Sequence, residues 1–140
     1  MNHIPGHPTL LPIIMIDDDA EDLELTGEEL IRMGIKNEIF TFQLPHEALD
    51  FLRVLSRPPY FITCDVHMAK MDAYDLRATM LAEIPRFQKV PFFILTALIT
   101  AKEMEYAQSL QINGYYTKGF SRESVQQNFR SMIAQIKINP

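Results

Sequence analysis

Tyr60-Phe61-Ile62-Thr63-Cys64-Asp65-Val66-His67-Met68 is the stretch that decides the fold. Its first half is apolar, aromatic and β-branched, and it stops abruptly at a carboxylate. A short run of this kind reads as a buried strand of a parallel sheet. Open α/β sheets bind ligands just outside the carboxyl ends of their strands, and Asp65 stands at such an end. Two more runs finish in the same way: Ile13-Ile14-Met15-Ile16 leads into Asp17-Asp18-Asp19, and Pro91-Phe92-Phe93-Ile94-Leu95 into Thr96. A fourth, Gly114-Tyr115-Tyr116-Thr117, leads into Lys118. If these strands are parallel neighbours, carboxylates, a hydroxyl and an ammonium meet on one sheet edge.

The chain of 140 residues is one domain's worth, and 47% apolar with 22% charged residues is ordinary globular material. A net charge of −5 argues against nucleic acid or an anionic membrane as partner, since both call for basic patches. The single cysteine, Cys64, excludes an intramolecular disulfide and fits a reducing, cytoplasmic setting. Residues 1–11 lack the basic start and apolar centre of a signal peptide, and no apolar run approaches the ~20 residues of a membrane span.

Residues 1–11 read as a loose tail in which Pro5 and Gly6 prevent any helix that would align His3 with His7; residues 12–140 form the domain. After the Ile13–Ile16 strand, a helix over Ala20–Met33 is capped by Asp19 and ended by Gly34, with Leu23, Leu30 and Ile31 as its apolar face. Its acids Glu21 and Asp22 suit the positive helix N-terminus. Glu38–Phe42 is the second strand, and Pro45 opens a helix carrying Ala48, Leu49, Leu52 and Leu55. After the Asp65 strand come a loop, a helix over Tyr74–Ala82, a strand over Val90–Leu95, a helix over Thr100–Leu110, the Gly114–Thr117 strand, and a last helix capped by Ser121 with Val125, Phe129, Met132 and Ile136 on one face. Five strands alternating with five helices give a parallel sheet covered on both faces.

Asp17, Asp18 and Asp65 are the informative acids. Repelling carboxylates at one edge are costly unless they share a cation, and hard oxygen ligands suit Mg²⁺. Taken alone, Asp17 to Asp19 is a helix N-terminus with surplus acids. A carboxylate beside Mg²⁺ can also attack phosphorus and form an acyl phosphate. Lys118 then supplies positive charge and Thr96 a hydroxyl for the transferred oxygens. His46 and His67 lack the helical bundle expected around a phosphohistidine, and Cys64 reads as a buried small apolar residue.

Four motifs carry a resemblance: Ile14-Met15-Ile16-Asp17-Asp18; Cys64-Asp65-Val66-His67-Met68 with Met71-Asp72; Ile94-Leu95-Thr96-Ala97; and Tyr115-Tyr116-Thr117-Lys118-Gly119-Phe120. In this order the chain, from about Leu11 to Lys137, resembles the receiver domain of two-component response regulators. The resemblance implies a flavodoxin-like, doubly wound five-stranded parallel sheet of order 2-1-3-4-5 with five helices. It also implies that Asp65 accepts a phosphoryl group from a sensor histidine kinase or a phosphotransfer protein. Asp18 and Asp65 would hold Mg²⁺ with the His67 backbone carbonyl, and Asp17 would act largely through water. Lys118 would pair with the phosphoryl group, and the Ala97 amide would lie near it. Thr96 and Tyr115 would form the switch, with Tyr115 moving in from outside when the Thr96 hydroxyl turns.

The sequence departs from the family where Ala69 and Lys70 stand for a usual proline and glycine, where Ala73 stands for another glycine, and where Gly119 follows the lysine in place of a proline. The expected function is a stand-alone response regulator that is not an enzyme beyond its own phosphorylation and dephosphorylation. It would be read through self-association or a downstream protein on the face of the fourth helix, fifth strand and fifth helix, bearing Lys102, Glu103, Glu105, Gln126 and Arg130. The competing readings are a pseudo-receiver that is never phosphorylated and an aspartate-nucleophile phosphohydrolase. The latter is disfavoured because His67 occupies the place where such enzymes carry a second Asp.

Overall fold

The structure, a computed structural model, describes residues 10–119 and 121–138, with Tyr106 described by its backbone alone. The expected tail with His3 and His7 falls almost wholly outside the described residues, as does Phe120.

Five strands form one sheet: β1 (Ile13–Ile16), β2 (Ile39–Phe42), β3 (Phe61–Cys64), β4 (Phe92–Thr96) and β5 (Gly114–Thr117). All pair in parallel, in the order β2-β1-β3-β4-β5. The helices are α1 (Ala20–Arg32), α2 (Pro45–Val54), α3 (Ala73–Glu83), α4 (Ala101–Ala107) and α5 (Arg122–Ile138). This is the flavodoxin-like doubly wound fold that the resemblance implies, and the parallel sheet covered on both faces that the alternation predicts.

The period-two alternation of a strand sends successive side chains to opposite faces. Ile14 and Ile16 therefore join Ala48, Leu52, Leu76 and Met80 under α2 and α3, in a core that also reaches Ala107. Ile13 and Met15 join Leu23, Leu30, Phe129 and Met132 under α1 and α5. Phe61 packs against Phe93 and Phe129 on this second face, with ring centroids 6.0 and 6.1 Å apart.

Local chemistry explains the helix ends. Asp19 caps α1 by accepting from the Glu21 and Asp22 amides at 3.0 and 3.3 Å. Gly34, at φ +86°, takes the left-handed residue that closes the helix. Asp72 and Asp75 form a reciprocal capping box, which starts α3 at Ala73, one residue before the expected Tyr74. Thr100 and Glu103 do the same for α4. The expected single helix over Thr100–Leu110 is instead a short α-helix followed by a 3₁₀ turn at Gln108–Leu110, closed by Gln111 at φ +56°.

Ile31 is not on the buried face of α1: it is 66% exposed, while Leu30 is fully buried. At 100° per residue, neighbours cannot share a narrow stripe, and Met33 and Leu23 flank Leu30 against the sheet instead. The sequence reading passed over Arg77, which is wholly buried in α3. Its Nε donates to the Leu110 carbonyl at 3.0 Å, and Nη2 to the Gln88 and Gln111 carbonyls at 3.0 and 3.3 Å. Its guanidinium lies 5.2 Å from the Phe92 ring centre. Burial pulls its pKa down to about 10. One side chain thus ties α3 to the segments on either side of β4.

Candidate functional site

The site forms where β1, β3, β4 and β5 end together. Register alone brings it about: Ile16 pairs with Cys64, Cys64 with Ile94, and Thr96 with Thr117. The next residue of each of three strands, Asp17, Asp65 and Lys118, and the last of β4, Thr96, therefore lie side by side. Backbone bonds fix the rim: Asp65 N donates to Ile16 O at 2.9 Å, Asp17 N to Phe42 O at 3.0 Å, and Lys118 N to Thr96 O at 2.8 Å.

Asp17 and Asp65 are buried, at 6% and 8% exposure, while Asp18 is exposed. Oxygens of Asp17, Asp18 and Asp65 all lie within 4.8 Å of one another. The Lys118 ammonium is the local counter-charge, 2.7 Å from Asp17, 2.8 Å from Asp22 and 3.4 Å from Asp65. Burial pushes the Asp17 carboxyl up to about 6, against the hydrogen bonds from Lys118 and the Asp19 amide that pull it down. Burial also opposes the Lys118 charge, but hydrogen bonds to Asp17 and Asp22 and the charges of Asp17 and Asp65 outweigh it and raise the lysine above its usual range. The lysine is thus firmly charged, yet it does not balance the acids. A cluster of hard oxygens with surplus negative charge fits a divalent cation.

Thr96 is 1% exposed, and its hydroxyl makes no hydrogen bond to protein. Ala97 and Leu98 follow it at the surface. His67, two residues beyond Asp65, is exposed. Between Val66 and the start of α3, Lys70 takes the left-handed φ of +72°, at a position where the resemblance leads one to expect glycine. That conformation costs a residue with a Cβ roughly 1 kcal/mol. The Lys118–Gly119 peptide bond is trans, like the others described.

Tyr115 and Tyr116 face opposite sides of β5, as expected. Tyr116 packs on Phe93, with centroids 5.8 Å apart, and its hydroxyl meets Ser131 at 3.1 Å. Tyr115 is half-buried. It is already turned inward, its ring against the core under α3 and α4 and its hydroxyl buried beside that of Tyr74. The apolar floor offered by that core, with Tyr74 at its rim, accounts for the inward position. Two residues expected on the face of α4, β5 and α5 turn instead toward α1: Gln126 donates to Glu29 of α1, and Arg130 donates to Gln126 at 2.9 Å. Glu29, 3% exposed, is held ionised first by Gln126 and then by Arg32 and Arg122, which draws that stretch of α5 toward α1. Sequence reasoning missed Asp22 as a partner of Lys118, because an acid in a helix's first turn already has an ordinary explanation.

Solved structures of this architecture are numerous. A response regulator receiver domain from Rhodospirillum rubrum is 25% identical, with a TM-score of 0.78 over 93% of this chain and 96% of that one. The phosphorylated cyanobacterial phytochrome response regulator RcpA is 23% identical, with a TM-score of 0.76 over 88% and 91%. The Mn²⁺-bound response regulator Rcp1 is 21% identical, with a TM-score of 0.74 over 87% and 91%. An uncharacterized 14.6 kDa protein of Leptolyngbya boryana is 27% identical over 109 residues, 77% of this chain and 79% of its own length. No family model matches the sequence. The fold is that of the receiver domains of response regulators. No helix among the described residues is long and apolar enough to cross a membrane.

Proposed function

We propose that residues 12–140 act as a phosphorylation-controlled receiver domain, taking a phosphoryl group on Asp65 with Mg²⁺. The observation that carries the reading is the convergence of Asp17, Asp18 and Asp65 within 4.8 Å, with a charged lysine reaching both buried acids. In the transfer, an Asp65 carboxylate oxygen forms the new bond to phosphorus while the donor's bond to phosphorus breaks, and the donor keeps that bonding pair. With a phosphohistidine donor, the imidazole leaves and takes up a proton. Mg²⁺, when bound, offsets the charge of the acids and of the phosphoryl oxygens. Asp18, Asp65 and the His67 carbonyl would hold it, with Asp17 acting through water. Lys118 binds a phosphoryl oxygen in place of its long contact to Asp65. The Thr96 hydroxyl, with no protein partner, turns toward the new oxygens, and the Ala97 amide adds a donor.

The domain works in the cytoplasm as a signalling module rather than an enzyme with turnover. Its donors are a histidine kinase or phosphotransfer protein. Its output is a change of the surface around α4 and β5, read by a second copy or another protein, with Tyr115 held inward by Tyr74 as one state of the switch. Intact-protein mass after incubation with acetyl phosphate and Mg²⁺ tests this. One lasting phosphoryl adduct is expected. No adduct would make the chain a pseudo-receiver, and steady phosphate release without an adduct would make it a phosphohydrolase.

A further inference from the structure

We propose that Asp22 is a positioning residue for the metal site, taking over the Lys118 ammonium when a divalent cation draws on the carboxylate cluster of Asp17, Asp18 and Asp65. The inference rests on the receiver reading above and deepens it. An ammonium has three donors, and those of Lys118 face three carboxylates, Asp17, Asp22 and Asp65. Two of these belong to the carboxylate cluster; Asp22 does not. Lys118 partly neutralises two carboxylates of the cluster on which a cation would draw. A cation arriving there meets a like charge at close range, and the lysine must give up part of its hold.

Asp22 makes that retreat cheap. Its contact is 2.8 Å, close to the 2.7 Å of the one to Asp17 and shorter than the 3.4 Å contact to Asp65. Its side chain is 39% exposed, against 9% for Asp17, so charge gathered there is better solvated. Both Asp22 and Lys118 border a cavity of about 330 Å³ between α1 and α5, floored by Leu95, Val125 and Phe129, which gives the lysine room to shift. With Asp22 removed, Lys118 either stays on Asp17 and Asp65, competing with the cation, or moves toward the cavity without a partner. Either way the cation binds less tightly. The ordinary reading of Asp22, an acid favouring a helix N-terminus, assigns it no greater effect than its exposed neighbour Glu21.

Calorimetric titration of the full chain with Mg²⁺ at neutral pH tests the inference. Asp22→Asn is expected to weaken binding about tenfold, a coupling within the range for groups in contact. Glu21→Gln, which removes the same charge from the same turn, should change affinity by less than about twofold. In a Lys118→Met or Lys118→Gln background, Asp22→Asn should do no more than Glu21→Gln. A full Asp22→Asn effect in those backgrounds, or an equal loss in Glu21→Gln, overturns the inference. No Mg²⁺ binding by the unaltered chain, or undiminished binding by Asp18→Ala, overturns the metal-site reading as well, and so tells the two failures apart.

Discussion

A methyl group added at Gly119 tests whether the loop after β5 holds Lys118 in place. A Cβ there would come within 2.9 Å of the Val125 backbone nitrogen and of Ser124 Cβ, and closer still to Ser124 Oγ. The Ser124 hydroxyl cannot simply turn away. It donates to Ser121 O at 2.9 Å, accepts from Ser121 N at 3.1 Å and pairs with the Ser121 hydroxyl at 3.0 Å. The first turn of α5 must therefore move, or Lys118 must move with its neighbour. Overpacking of this kind costs about 1–3 kcal/mol. For a domain of this size that lowers Tm by about 3–9 °C. A displaced Lys118 slows phosphoryl transfer as well, by about tenfold if the ammonium shifts by a fraction of an ångström. The assay is a calorimetric melt of Gly119→Ala together with the rate of acetyl phosphate labelling followed by mass. Gly27→Ala is the contrast: nothing lies within 4 Å of its Cβ, so it should stabilise α1 by up to about 1 kcal/mol and leave labelling unchanged. A Gly119→Ala protein with unchanged Tm and labelling rate would refute the account of this loop.

Protons and metal should compete at Asp17. Burial holds its carboxyl near 6 in the folded protein, against an ordinary value of 3.8 for this side chain. The raised pKa means that this group stabilises the metal-free protein below about pH 4 and loses that contribution as pH rises through about 6. Mg²⁺ affinity should therefore fall about tenfold from pH 7 to pH 5 and be nearly flat above about 7; equal affinity at pH 5 and 7 in a titration contradicts this. Arg77→Met leaves three backbone carbonyls without their donor and should cost about 2–4 kcal/mol in a denaturant melt, even after relief of the buried charge; a wild-type midpoint would count against it. Leu98, 66% exposed two residues past Thr96, offers no group to orient a water. Leu98→Glu should shorten the phosphoryl half-life several-fold, and an unchanged or longer half-life sinks the idea.

The sheet and its edge could be read from the chain because parallel strands are short apolar runs, and here the runs of β1, β3, β4 and β5 end in the polar residues that form the site. Strand alternation also separated Tyr115 from Tyr116. What escaped the reading depends on contacts between elements distant in sequence. Asp22 meets Lys118 only once α1 is laid beside the end of β5. Arg77 looks like a surface residue until three carbonyls from the turns around β4 close on it. Ile31 and Gln126 went astray because one-dimensional spacing does not say which flank of a helix the neighbouring helix occupies, and Glu29 is what draws Gln126 toward α1. The inward position of Tyr115 in β5 depends on Tyr74, which belongs to α3.

The central claim is that Asp65 is the phosphoacceptor. The direct measurement is intact mass, with peptide mapping, of the unaltered chain and of Asp65→Asn after incubation with acetyl phosphate and Mg²⁺. The amide is nearly isosteric and keeps the rim of the site, so the variant should melt as a folded protein. The account predicts one phosphoryl group on the unaltered chain, mapped to the peptide containing Asp65, and none on Asp65→Asn. Equal labelling of a folded Asp65→Asn, or a phosphoryl group mapped elsewhere, would contradict it.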